Sequence, residues 1–404
     1  MVVVFNWLLN PFLLFDSPEI DGINKLKTEI FFANQLTKPH TIKQQKPHSI
    51  ILGTSRAGSS LNPSSPQLNA MNIYNLATPG ASPYVIFRLY QHAMANAEIK
   101  SVILCIDFFM FNDARGNKLP GYDKSFESRL DTLVDDSPAT TWPQYLRDDI
   151  VTLTSWSTIQ SSWATLNKQK SFASQEKGGV LQQKNGFWIQ QQPKSSLYPN
   201  IFSKTAETYF SQQWFVGDKK EFRLSPIDGD DTTTFYYFRQ LLLELYKHDI
   251  ETKIVILPPH AYLLEALSVA GLWDEFEEWK KRLIIINDQQ ALLFNKAPYN
   301  LWDFAGFNNI SEEPIPASST GDHPMQWYID AAHPNAAAGE IVIAKIFGAP
   351  IKNSNLDNFG RQLTSESIDA HLEQIRHERQ LYRDQHPQLL ADLKHLYQSF
   401  INKK

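Results

Sequence analysis

One cysteine, Cys105, is all the thiol in 404 residues, which excludes an internal disulfide. It lies in an apolar run, where it reads as packing. No group of Cys and His has zinc-ligand spacing. His40, His48, His92, His248 and His260 are scattered, and each alone reads as structural before it reads as a ligand, so no metal is expected. A glycine-rich phosphate loop is also missing, which argues against ATP or a dinucleotide, and no other cofactor is implied. There is no basic stripe, and a net charge of -5 with a pI of about 6.1 argues against nucleic acid as the main partner. Met1–Phe15 carries no charge, yet it is shorter than the ~20 residues that span a bilayer. It also lacks the basic start of a signal peptide, and Pro11 interrupts it. A buried element and the end of a membrane anchor, with an upstream start missing from this chain, are both compatible with that segment. The anchor is the reading preferred here.

What the chain has is core material: 42% hydrophobic and 12% aromatic residues, enough for one elaborated domain or two. Candidate strands at Ser49–Gly53, Ser101–Asp107, Lys253–Leu257 and Tyr299–Phe304 alternate with helical patterns at Tyr84–Ala97, around Phe235–Leu245 and at Asn335–Phe347. Such alternation implies crossover connections and an α/β fold, a flavodoxin-like three-layer sandwich around a central parallel sheet. The expected division is an apolar segment at 1–45, an α/β body at 46–347 and an amphipathic helical extension at 348–404. That extension carries Ile368, Leu372, Ile375 and Tyr382 as its apolar stripe. A large insertion at about 114–234 interrupts the body, too long for a structureless loop. It holds Trp142, Trp156, Trp163, Trp188 and Trp214, with a flexible stretch expected at 175–184. Aromatic rings beside amides can bind sugars, and equally can form a small core.

Two short motifs carry chemistry. Ile50-Ile51-Leu52-Gly53-Thr54-Ser55-Arg56 ends a strand in a small-residue turn, which puts Ser55 at the carboxyl end of that strand, where open α/β sheets hold their ligands. Far downstream, Asp330-Ala331-Ala332-His333 offers a base with a carboxylate close enough to orient it. A serine hydroxyl needs such a base to become a nucleophile. Ser55 as a mere helix cap and His333 as a surface residue is the plainer alternative. His260, after the apolar strand at Ile254–Leu257, falls near the same sheet edge, as a substrate contact or a hydrogen-bonded loop residue.

In these blocks the chain resembles the SGNH (GDSL-type) hydrolases. Gly53-Thr54-Ser55 is similar to their first block, and Tyr74-Asn75-Leu76-Ala77-Thr78-Pro79-Gly80 to the second, whose glycine N–H serves the oxyanion hole. Asp330-x-x-His333 is similar to the last. The resemblance spans about Ser49 to Phe347 and implies the same three-layer fold. It further implies Ser55, His333 and Asp330 as catalytic residues, with Gly80 and the position of Asp107 at the oxyanion; Arg56, as a partner for Asp107, and His260, from its place at the sheet edge, complete the candidates around oxyanion and substrate. One block departs. After the strand Val102–Ile106, Asp107 stands where these enzymes carry an asparagine whose amide donates to the oxyanion. An ionised carboxylate there would repel negative charge. Asp107 is then a neutral acid, or a partner of Arg56, or the oxyanion rests on the Ser55 and Gly80 N–H groups alone. Asn112 is a candidate replacement amide, and the pair with Arg56 is the preferred reading.

The function so implied is an extracytoplasmic serine esterase or O-acyltransferase. Its partner would be an acylated carbohydrate or cell-envelope polymer, with a membrane acyl-donor protein as a further one. Membrane-tethered relatives add attachment through the amino terminus. An inactive scaffold or a carbohydrate-binding protein is the alternative from another class.

Overall fold

The computed structural model describes residues 1–116, 125–171, 180–216, 221–316, 323–351, 356 and 358–402. Eight strands form among them: β1 (Ser49–Leu52), β2 (Ile73–Asn75), β3 (Ser101–Ile106), β4 (Val180–Gln182), β5 (Trp188–Gln190), β6 (Glu251–Ile256), β7 (Asn300–Asp303) and β8 (Arg361–Leu363). β1, β2, β3, β6 and β7 are parallel, and β8 joins antiparallel at one edge, in the order β2-β1-β3-β6-β7-β8. The apolar composition of β1 and β3 has its reason here: both are central, and every residue of β1 is buried.

Helices flank this sheet. α1 (Val2–Leu9), α2 (Asn34–Gln45), α3 (Ser55–Ser60) and α4 (Pro83–Asn96) come first, then α5 (Trp142–Thr154), α6 (Trp156–Ser171) and α7 (Tyr198–Thr208) from the insertion. α8 (Thr234–Lys247), α9 (Ala261–Val269), α10 (Trp273–Leu293) and α11 (Ala336–Ile346) complete the body, and α12 (Ile368–Gln385) and α13 (Pro387–Asn402) close the chain. α8 packs on α4 and α10, while α3 packs on α11 and α9 on α13. The result is α/β with a mostly parallel sheet between helices, the arrangement of a three-layer sandwich. The four expected strands form, each within two residues of its expected bounds. β2 was expected only as a motif, and β8 lies inside the segment read as a helical extension.

The strand order reverses between β1 and β3. Helices leaving adjacent strands there go to opposite faces, so a crevice opens beyond the carboxyl ends of those two strands. Ser55 follows β1 into it, and Asp107 follows β3 just beneath.

The apolar amino-terminal run forms only the eight-residue α1, which ends at Asn10 in the left-handed conformation. α1 packs on α5 and α6. The Asn6 amide donates to the Leu153 carbonyl (3.1 Å) and accepts from the Ser162 hydroxyl (2.9 Å), and the Phe5 ring lies 5.4 Å from that of Trp163. Among the described residues, no helix is long and apolar enough to cross a membrane. α2, from the same expected segment, packs on α4.

Within the insertion, β4 and β5 form an antiparallel hairpin over part of the stretch expected to be flexible; residues 175–179 of that stretch lie outside the described residues. Trp188 and Trp214 are buried, whereas Trp142, Trp156 and Trp163 are exposed.

Candidate active site

β1 is followed by Gly53, whose φ of 156° and surroundings suit no other residue. A Cβ there would lie 2.8 Å from the Cβ of Cys105 and 2.9 Å from that of Ala57. The missing side chain lets β1 and β3 run close and the chain turn at once into α3. Thr54 is the N-cap, and Ser55 is the first helical residue, with its side chain free of the capping role.

Ser55 Oγ lies 2.8 Å from His333 Nε2. The opposite ring nitrogen, Nδ1, is 2.8 and 2.9 Å from the two oxygens of Asp330. The carboxylate accepts from Nδ1–H, which leaves the Nε2 lone pair to accept the serine proton. Asp330 is itself held by the backbone N–H groups of Ala332 (2.7 Å) and His333 (2.9 Å), a tight turn that the three-residue spacing makes possible. Burial alone would raise its pKa, but the His333 charge and these hydrogen bonds outweigh it and hold Asp330 below the usual carboxylate range. Both groups stay partly open: the His333 side chain is 25% exposed and that of Asp330 16%.

Asp107 does something different. Its carboxylate accepts from Arg56 Nη1 at 2.8 Å and from the Thr54 hydroxyl, so the residues on both sides of Ser55 are tied to one buried anion. The second Arg56 nitrogen donates to the Tyr209 hydroxyl at 2.9 Å. Burial disfavours the Arg56 cation, and Asp107 beside it more than restores the charged form. Burial likewise pushes the Tyr209 phenol up to about 12, against the pull of Arg56. Asp107 is therefore directed into the turn that carries the nucleophile and does not line the cleft above it. Asn112 is equally committed. Its amide donates to the Gln213 and Trp214 carbonyls (2.9 Å each) and accepts from Ala114 N and Arg223 N, so it cannot stand in for a missing oxyanion donor.

Gly80 sits at φ 65° on the cleft wall, and Arg115 donates to its carbonyl at 3.3 Å, which orients that peptide. Among the described residues, neither the Ser55 nor the Gly80 N–H donates to a protein acceptor. Both belong to residues that line the cleft. His260 is not at the site. It is 1% exposed and caps α9: Nδ1 accepts from Tyr262 N–H (3.0 Å) and Nε2 meets the Glu313 carbonyl (2.7 Å). With both ring nitrogens occupied, and burial lowering its pKa to about 4, it has nothing left for a substrate. The candidate was placed at the correct sheet edge, but the chain buries it under the turn that holds Asp330; its own N–H bonds Ala331 O at 3.0 Å.

The insertion supplies the other wall. Ile201, Lys204, Thr205 and Thr208 recur at helical spacing on one side of α7, and Tyr209 and Gln213 continue it through a π-helical turn at Tyr209–Trp214. None of these six was singled out from sequence. The three-to-four spacing is present, but its polarity is that of any solvated helix. No tryptophan among the described residues lines this cleft. Among the described residues, no cluster of His, Cys, Asp and Glu could hold a metal ion. What the arrangement can do is general-base activation of a hydroxyl beside two free backbone donors. Compared with known proteins, the chain matches no protein-family model and no curated protein.

Proposed function

We propose that the protein is an SGNH-type serine ester hydrolase or O-acyltransferase acting on a carbohydrate or cell-envelope polymer. The observation that carries this reading is the relay Asp330–His333–Ser55, with both contacts at 2.8 Å and the serine open to a cleft. Ser55 Oγ attacks the ester carbonyl as His333 takes its proton, and the negative oxygen rests on the Ser55 and Gly80 N–H groups. The C–O bond to the leaving alcohol then breaks, and His333 returns the proton to that alcohol. Water or a sugar hydroxyl, deprotonated by the same histidine, resolves the acyl-Ser55. The order of the blocks, the strand-end serine and the strand order of the sheet all support the SGNH resemblance. Two backbone donors are a sparse oxyanion hole, so a modest turnover is expected.

The test is covalent labelling of the full chain with a fluorophosphonate probe. Labelling that disappears in Ser55→Ala supports the reading. No labelling between pH 6 and 9 would transfer the case to an inactive scaffold.

The same reading places the body outside the cytoplasmic membrane and against its surface. Its support is the large apolar side chains that α1, α5 and α6 leave exposed, with Val4 64%, Trp142 68% and Trp156 72% accessible. Tryptophan among aliphatic side chains suits the boundary between headgroups and acyl chains. The full chain is expected to float with lipid vesicles, and Trp142→Ser/Trp156→Ser to remain at the bottom of the gradient. Equal partitioning of the two would remove the location.

A further inference from the structure

At the Gly80 wall of the cleft stands an arginine with no counter-ion among the described residues. Arg115 ends a short 3-10 turn, Asp113–Arg115, whose backbone is firmly anchored. Asp113 N donates to the Arg223 carbonyl (2.9 Å), and the Asp113 carboxylate accepts from Ser225 N (3.1 Å) and Thr234 N (2.6 Å). The Asn112 side chain accepts from Ala114 N at 3.1 Å. From this base the Arg115 guanidinium lies 5.0 Å from the centroid of the Phe109 ring and donates to two carbonyls, Phe109 through Nη1 and Gly80 through Nη2, at 3.3 Å each. Both bonds are long, and they use two of the five N–H groups that a guanidinium carries. Phe109 and Gly80 line the cleft together with Ser55 and His333.

Two arginines thus meet the Phe109 ring, and they differ in charge balance. Arg56, 5.8 Å from the same centroid, is paired with Asp107, so the two together exert little net field. Arg115 has only carbonyls and a ring around it. Burial draws its pKa down to about 10, which leaves it a cation at neutral pH, held where water solvates it poorly. Such a cation gains from any negative charge that forms close by. A neutral ester brings none into the cleft. The tetrahedral intermediate does, because its oxygen on the Gly80 N–H would stand within one residue's breadth of the guanidinium on the Gly80 carbonyl. An attraction made in the transition state and not in the ground state speeds the reaction without tightening substrate binding.

We propose that Arg115 is the charged positioning residue of the oxyanion hole: its guanidinium, bound to the Gly80 carbonyl, fixes that peptide and lends the developing oxyanion a positive charge that Asp107 and Asn112, turned to other partners, do not supply. This rests on the esterase reading and adds a residue to its machinery.

The experiment measures hydrolysis of a small uncharged ester, nitrophenyl acetate, by the full chain and by its Arg115→Gln, Arg115→Met and Arg115→Lys variants. The two neutral variants should lose about ten- to thirtyfold in kcat, less than the ~10²-fold of a donor bonded directly to the oxyanion, because the charge acts past Gly80 and does not touch the oxygen. Acylation and deacylation both pass through an oxyanion, so KM should stay within about twofold. Arg115→Lys keeps the charge and should lose less than about fivefold. Methylboronic acid, which Ser55 would bind as an anionic tetrahedral adduct, should lose affinity by the same factor as kcat in the neutral variants and largely keep it in Arg115→Lys. A merely structural arginine would not divide the variants by charge. An unchanged kcat in folded Arg115→Gln overturns the assignment, and so does an equal loss in all three variants. A loss confined to KM overturns it as well, since Arg115 would then act on the ground state. If neither neutral variant folds, Arg115 is structural and the assignment falls. If instead the wild type hydrolyses no ester and takes up neither boronate nor fluorophosphonate, the esterase reading itself has failed, and the oxyanion role goes with it.

Discussion

Among the Asp–His pairs of the molecule, two are alike at the level of the bond and differ in everything around it. In one, Asp330 meets His333 Nδ1 at 2.8 Å, and the far ring nitrogen meets Ser55. In the other, Asp303 at the end of β7 meets His371 Nε2 at 2.8 Å, and the same oxygen meets Lys280 at 2.6 Å. Both carboxylates are held below the usual range: burial opposes this, and neighbouring cations and N–H groups overcome it. The second pair is closed, however. Lys280 and Asp303 have no exposed side-chain surface, and His371 Nδ1 is buried with no partner. It joins β7, α10 and α12, and among the described residues no hydroxyl is bonded to its imidazole. A hydrogen-bonded imidazole is therefore not a site by itself. Access and the third partner decide, and here they follow from where each pair stands relative to the crevice between β1 and β3.

The sharpest test separates chemistry from stability. Ser55→Ala and His333→Ala should each lower esterase kcat on the order of 10⁴-fold or more while leaving the melting temperature within a few degrees. Asp303→Ala should do the reverse. It strands a buried ammonium, at a cost of about 3–5 kcal/mol in a denaturation experiment, with activity per folded molecule retained. Loss of activity in folded Asp303→Ala, or collapse of the fold in Ser55→Ala, would dissolve the distinction.

Acid should act first on the buried histidines. His92 and His260 are both held at about 4 by burial, His92 between the Pro39 carbonyl and the Asp131 N–H. Unfolded, each takes up its proton near ~6.5, so the unfolded chain binds more protons between that value and about 4. Stability is whole above ~6.5 and falls as the pH drops through this window, by up to about 3 kcal/mol for each group. Urea midpoints measured from pH 7 to 4.5 should decline accordingly, and the slope should be shallower in His260→Gln. A flat profile would mean that these rings are not neutral in the fold.

The smallest expected effect concerns Asp107. Asp107→Asn removes the charge partner of Arg56 but keeps an oxygen that can accept, so a loss of about 1–3 kcal/mol is expected, with lower activity because the Ser55 turn loosens. Higher activity on a small acyl ester with an unchanged melting temperature would show that the carboxylate acts on the oxyanion instead.

Residues that act through local covalent spacing were legible before any fold was known. Gly53-Thr54-Ser55 at a strand end and Asp330-x-x-His333 carry their geometry in the turns they form, and the preferred Arg56–Asp107 pair follows from adjacent parallel strands ending together. His260 was half legible: the strand before it set its position, but only the approach of the Glu313 carbonyl and the first turn of α9 consumed both ring nitrogens. The wall made by Lys204, Thr205, Thr208 and Gln213 was not legible, because a polar helix in an insertion looks the same whether it faces bulk water or a cleft. Met1–Phe15 was open to two readings for the matching reason. Its apolarity marks a surface to be covered or left exposed, and α5 and α6, more than a hundred residues away, decide which of its side chains are covered. The sequence by itself determined the α/β alternation, the strand-end serine and the acid–base pair, since each rests on spacings of a few residues. The tertiary structure alone decided which histidine is reachable, that the carboxylate of Asp107 turns inward, and that the insertion walls the cleft, since each depends on contacts between segments whose separation along the chain carries no local signal.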